Sequence, residues 1–411
     1  MAYPTNTNNR VFYATQGVAV GDINATGVQD PYQSRGATMS DLTDELAVVH
    51  GLQSIGVTTN FNLEQIFELG QLSLYENRED IPEIEVTFEK LLDGYPVVYH
   101  LSTVDATNPT LTGRGNARAD VRCVIGYDTE DQIQTGGTNS GVAELYCSGM
   151  YISSVSYSLP TDGNFTESTT LVGNDKQWFT GTDTGGLLND DNGVLDAVFD
   201  TNLFGSDAPV GANSSVLRRE NVVVGSAGST LAGGTVFRTV VPDFIEGTTT
   251  GATGVAGAGS NTGIQTNCSE IPDGGGVYLN SFSCSVDLGR ESINQLGKRG
   301  PYYRYVSFPV DVTTDIEVTA IGGDNIDAAE ESNNLSDHSI QMVLDDSTVI
   351  QLGNKNKLTT VTYGGGDAGG GNATISYSMT NSNDFVVLHS GDPLVGKGTY
   401  VNTDYWRSHF D

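Results

Sequence analysis

The chain has 411 residues, 37% of them hydrophobic and spread along the whole length, which is enough for two or three cores. Fifty-one glycines against twelve prolines, with abundant Thr, Ser, Asn and Asp, fit many short strands joined by tight turns. Fifty-one acids against nineteen bases leave a formal charge of −32, which excludes a duplex-DNA binder that works by phosphate neutralisation and makes an anionic membrane a poor partner.

The N-terminal residues Met1 to Asn9 are polar and lack the basic start and apolar run of a signal peptide. No stretch approaches the roughly 18 apolar residues of a membrane helix, so the expectation is cytoplasmic synthesis without a membrane anchor. Two helices are expected. One covers Asp41 to Val49; the other covers Asn62 to Leu69, with Asn62 as cap, Gln65 three positions on and Gly70 as stop. Strands with period two follow: Ile84, Val86 and Phe88 alternate with polar residues, as do Val155, Tyr157 and Leu159. The same alternation recurs at Ile316, Val318 and Ala320, and again at Ile375, Tyr377 and Met379. One apolar and one polar face per strand is the pattern of antiparallel sheets with a wet side.

Residues 181–276 are richer in Gly, Asp and Ser, and the run Gly247 to Gly259 has almost no side-chain bulk. Within this part Val222 to Val224 and Thr235 to Val241 read as strands. Four cysteines, Cys123, Cys147, Cys268 and Cys284, form no Cys-x-x-Cys pair. They read as buried thiols or as candidate disulfide partners formed outside a cell, and the scattered histidines give no metal-site spacing.

Segments that touch on chemistry each lack a required part. Gly391 to Lys397 has phosphate-loop spacing, but Gly398 stands where a magnesium-holding hydroxyl is needed. Gly364 to Gly371 lies between two strand-like runs and reads as a hairpin tip. Asn189 to Gly193 is acidic but has no flanking helices or downstream bidentate Glu for a calcium loop. No nucleophile elbow or metalloprotease helix is present, so the expectation is a protein without catalytic residues, cofactor or metal. Against the global charge, Lys298, Arg299, Tyr302, Tyr303 and Arg304 cluster basic and aromatic groups, and are candidates for contact with a carboxylate surface of a neighbouring subunit.

The chain also resembles itself. At an offset of 227, Glu64 meets Glu291, Ile66 meets Ile293, Leu69-Gly70 meets Leu296-Gly297, Tyr75 meets Tyr302 and Pro82 meets Pro309. Later, Val155-Ser-Tyr157 before Gly163-Asn164 echoes Val361-Thr-Tyr363 before Gly371-Asn372. This order of elements predicts a duplicated domain at residues 45–180 and 277–395. An N-terminal arm (1–44), a Gly/Asp-rich insertion or linker subdomain (181–276) and a C-terminal tail (396–411) complete the chain.

Residues 55–100, with Asn60 to Tyr75, and residues 284–320, with Gly297 to Arg304 and Phe308 to Val312, resemble the major tail tube proteins of tailed bacteriophages. The resemblance covers about 60% of the chain and implies a mainly β fold: tandem antiparallel β-sandwich or barrel domains, each with a short helix, plus the Gly-rich middle insertion. It further implies a virion tail protein, made in the host cytoplasm, that assembles into stacked rings through which DNA passes without specific binding. Partners are then copies of the chain, as a hexamer or as a trimer with pseudo-six-fold symmetry, and other tail proteins. A capsid-decorating or baseplate protein, and a carbohydrate-binding adhesin module, remain the alternatives.

Overall fold

The computed structural model describes residues 10–11, 13, 16–23, 27–29, 45–104, 106, 108–125, 143–180, 216–225, 278–297, 300–301, 303–320, 340–344, 348–353, 355–366 and 370–388. Among these, strands dominate. The first three are β1 (Gln16–Asp22), β2 (Gly27–Gln29) and β3 (Glu45–Val48). Next come β4 (Leu52–Asn60), the hairpin β5 (Leu63–Phe67) and β6 (Leu74–Glu79), and then β7 (Glu83–Leu91). Two short helices, α1 (Val98–Leu101) and α2 (Leu111–Arg114), lead to β8 (Ala119–Ile125). The 18-residue β9 (Ala143–Pro160), β10 (Thr166–Gly173), β11 (Asp175–Thr180) and β12 (Val222–Gly225) close the first half.

The second half starts with β13 (Tyr278–Asp287), the hairpin β14 (Arg290–Ile293) and β15 (Tyr303–Val306), and β16 (Asp311–Thr319). It ends with β17 (Gln341–Leu344), β18 (Val349–Gln351), β19 (Lys357–Gly364), β20 (Thr374–Ser382) and β21 (Val386–Leu388).

The alternating segments are strands, and their apolar residues are buried: Val86, Phe88, Val155, Tyr157, Ile316, Val318, Tyr377 and Met379 all belong to one hydrophobic cluster that runs through both halves. Neither expected helix forms. Residues 45–48 are β3, and residues 63–67 are the first strand of a hairpin whose turn contains Leu69 and Gly70. Gly70, read as a helix stop, lies in a hairpin turn, as does Gly297, with left-handed φ of 94° and 84°. A left-handed residue suits a tight turn as well as a helix end, and glycine takes it without a Cβ clash.

Hydrogen bonding links eight strands in the order β4, β7, β10, β9, β13, β16, β20, β19, all antiparallel. The first four and the last four follow one plan. Strand β4 pairs β7 as β13 pairs β16, and β7–β10–β9 is matched by β16–β20–β19. Beside them, β1–β8–β9–β11 is matched by β12–β17–β18–β21. The hairpins agree in register: Leu63 faces Glu79 as Arg290 faces Val306. The match at 227 does not extend through the next strand. Ile55 faces Phe88 while Phe282 faces Ile316, so β7 maps onto β16 at 228, with one extra residue between β15 and β16. This shift puts Ile84, Val86, Phe88 and Lys90 on the same buried face as Val312, Thr314, Ile316 and Val318.

Among the described residues the halves differ in their long strand, and α1, α2, β2 and β3 have counterparts in neither sequence position nor pairing in the second half. Strand β9 runs unbroken through both sheets, with a left-handed Gly149 at its middle, whereas β18 and β19 are separate strands. Between those two, Gly353 has φ 70°, and the Asn356 side-chain amide donates to the Leu352 carbonyl at 2.9 Å.

Candidate assembly surfaces

The eight-stranded sheet has one apolar and one polar face. On the polar face β9 presents Ser154, Ser156 and Ser158, β13 presents Ser283 and Ser285, and β20 presents Ser376 and Ser378. Carboxylates of Glu85, Glu89, Asp287, Asp311, Asp315 and Glu317 lie among these hydroxyls. Hydroxyl and carboxylate groups bond across strands: Ser378 donates to Asp315 at 2.5 Å, and Ser54 to Glu89 at 3.3 Å. Bases are nearly excluded from these eight strands. Lys90 is buried on the opposite face and bonds Asp93 at 2.5 Å; Lys357 stands at the start of β19. The face therefore repels polyanions, and its short neutral side chains offer few groups that could grip one.

Two hairpins stand apart as two-stranded sheets, β5–β6 and β14–β15. The first exposes Phe61, Leu63, Phe67, Leu72 and Tyr75, and Leu69 at its turn is fully exposed at 103%. The second exposes Ile293 and Leu296, the latter at 100%. An isolated hairpin is marginal in water, and apolar tips of this kind gain by being covered.

The candidate contact cluster is only partly described. Lys298, Arg299 and Tyr302 lie outside the described residues. Tyr303 is half-buried: its hydroxyl donates to the Asn116 carbonyl at 2.9 Å, and its ring meets Tyr151 edge-on at 5.4 Å. Arg304 is buried, bonding Glu83 at 2.7 Å and Asn174 at 3.2 Å. This charge ties β15 to the start of β7 within one chain. Glu83 is too distant in sequence for any local pattern to reveal the pair.

Buried polar groups inside the fold are structural. Glu167 accepts the backbone N–H groups of Val98 and Tyr99 at 2.7 and 3.0 Å and the Tyr157 hydroxyl at 3.1 Å, fixing the start of α1. Burial pushes its carboxyl up, and these donors oppose that shift. Arg122 bonds Glu144 at 2.5 Å across β8 and β9, and its guanidinium lies 3.9 Å from the centre of the Tyr146 ring. Cys123, Cys147 and Cys284 are buried free thiols, each pushed up to about 12 chiefly by burial, which leaves them unreactive. Cys268 lies outside the described residues, as do Gly391–Lys397, Asn189–Gly193, Gly247–Gly259 and Thr235–Val241. Gly364 to Gly371 does join β19 to β20. Among the described residues no group of three or more His, Cys, Asp or Glu is placed to hold a metal ion. No described helix is long and apolar enough to cross a membrane.

No protein-family model and no curated protein matches the chain. Solved structures give partial likenesses. The tube-terminating cap of the anti-feeding prophage is 12% identical, with 44% of this chain and 97% of that chain covered and a TM-score of 0.28. A sheath–tube complex of an extracellular contractile injection system in its extended state is 10% identical, covering 44% of this chain and 99% of that one, also at 0.28. The tail of an empty gene transfer agent particle is 14% identical, covering 27% and 83%, at 0.22. Scores of this size define neither a shared fold nor a function.

Proposed function

We propose that the chain is a non-enzymatic structural protein of a virion tail, built from two tube-type β units that assemble with further copies into stacked rings. The observation that carries this reading is the continuous sheet formed by the two units, with one face of hydroxyls and carboxylates on which no base lies beyond Lys357. A face of that composition suits a wall along which a polyanion slides without binding. The sequence resemblance to tail tube proteins supplies the class of assembly, and DNA is the polyanion it implies. The units correspond to residues 45–180 and 277–395, each completed by a strand from outside these limits, β1 from the arm 1–44 and β12 from the insertion 181–276. Each unit then has the tandem sandwich or barrel form of the family. Three chains make a pseudo-six-fold ring, and the projecting hairpins reach neighbouring subunits or the next ring.

Electron microscopy of the purified full chain tests this. Hollow tubes of regular diameter are expected, with three chains per ring and no retention of added duplex DNA at physiological salt. Stable monomers that bind a glycan array overturn it in favour of an adhesin; particles that attach singly to capsids or baseplates overturn it in favour of another virion role.

A further inference from the structure

The hairpin β14–β15 belongs to the second half but bonds to the first, beside the joint where β13 pairs β9. Two of its arginines point there. Arg304 meets Glu83 at 2.7 Å, whereas Arg290 forms no ion pair with a carboxylate among the described residues. The Arg290 Nε donates to the Ile152 carbonyl at 2.6 Å, and Nη2 donates to the same oxygen, where the pairing of β9 with β10 slips by one residue. The guanidinium lies 5.2 Å from the centre of the Tyr151 ring. Its remaining nitrogen, Nη1, is buried with no hydrogen-bond partner among the described residues. A second donor is stranded nearby. Tyr99, on α1, is 1% exposed, and its hydroxyl is likewise buried without a described partner. Tyr99 and Arg290 interact electrostatically, and the Arg114 guanidinium of α2 lies 6.0 Å from the Tyr99 ring centre. Burial lowers the Arg290 guanidinium to about 10, which leaves it charged at neutral pH. A buried charge without a counterion is costly. The repeat does not demand it, since at the offset of 227 the first half has Leu63, which is exposed.

We infer that Arg290 Nη1 and the Tyr99 hydroxyl hold a small inorganic anion, of the size and charge of chloride, at the joint between the halves. Both groups donate, and a halide accepts without needing donors in return, while its charge offsets the guanidinium. A monatomic ion suits so few donors. A buried phosphate or carboxylate would leave several of its oxygens without hydrogen bonds, at a cost that grows with each. Arg114 adds positive charge beside Tyr99. Because Arg290 stands on β14 and Tyr99 on α1, the bound ion fastens the hairpin of the second half to the first. The overall field of a chain with formal charge −32 opposes capture of any anion, so retention depends on these local groups and on their removal from water.

Urea unfolding of the full chain tests this, with sodium chloride exchanged stepwise for sodium gluconate at fixed ionic strength. An ion that binds only the folded state raises stability as its site fills, so the parent midpoint is expected to rise by about 0.5 M urea once chloride exceeds its Kd about tenfold. Tyr99→Phe, which removes a single oxygen, and Arg290→Met are expected to flatten that rise. Arg78→Met, at an exposed arginine on the β5–β6 hairpin, is expected to keep it. Crystals grown in sodium bromide give the direct reading: anomalous density is expected within hydrogen-bonding distance of both Arg290 Nη1 and Tyr99 Oη. A parent midpoint indifferent to chloride overturns the site, as does a rise that persists unchanged in Tyr99→Phe and Arg290→Met. Water density without anomalous signal between the two donors overturns it too. Should Arg290→Met fail to fold, Tyr99→Phe and the bromide map decide.

Discussion

Lys90 and Asp93 form an ion pair beside His50, just before the start of β4. Burial lowers the His50 imidazole from its ordinary 6.5 to about 4, with Asp93 opposing the shift and Lys90 adding to it. The sign follows from linkage: the unfolded chain takes up a proton near pH 6.5 that the folded chain refuses until about pH 4. Stability is thus expected to fall as pH drops through that window, and urea unfolding across it should show a shallower fall for His50→Gln. Arg122 and Glu144 call for a different comparison. Glu144→Ala leaves a buried guanidinium without its carboxylate and is expected to cost about 3–5 kcal/mol in denaturant unfolding. The double variant Arg122→Met/Glu144→Leu is expected to recover most of that loss, since removing both charges removes the desolvation penalty as well.

The hairpin β5–β6 carries large apolar residues outside the core, and among the described residues its strands pair only with each other. Leu69→Asp/Leu72→Asp is expected to leave the unfolding transition within about 0.5 kcal/mol of the parent while reducing self-association in sedimentation velocity. The same hairpin shows where sequence reading stops. Strands β7, β9, β16 and β20 are legible because one-sided burial imposes a period of two. In Leu63 to Phe67 neither side is buried, so no alternation is imposed. Leu63, Ile66 and Phe67 then fall at helical spacing, with Asn62 and Gly70 as apparent ends. Arg304 was legible as a special residue but not as a buried one, because its partners Glu83 and Asn174 come from strands far earlier in the chain. The offset of 227 read from the sequence holds for the registers of the two hairpins and becomes 228 between β7 and β16, a one-residue step that only the strand register reveals.

At the scale of the whole molecule, the two halves share a sheet and a core. Their connection is hydrogen-bonded through seven facing residue pairs, from Ser281–Pro160 to Asp287–Ser154, and is reinforced by the Arg304–Glu83 ion pair. Such a molecule is expected to unfold in one transition, with circular dichroism and tryptophan fluorescence giving coincident midpoints. Two separated midpoints would show that the halves are independent. The β9–β13 joint also has an arithmetical consequence. On the proposed reading each polypeptide contributes two units already fastened together, so any closed ring made by repeating that joint holds an even number of them. Five- and seven-membered rings are forbidden by covalent connectivity alone, and a population of rings that varies in size can vary only in steps of two.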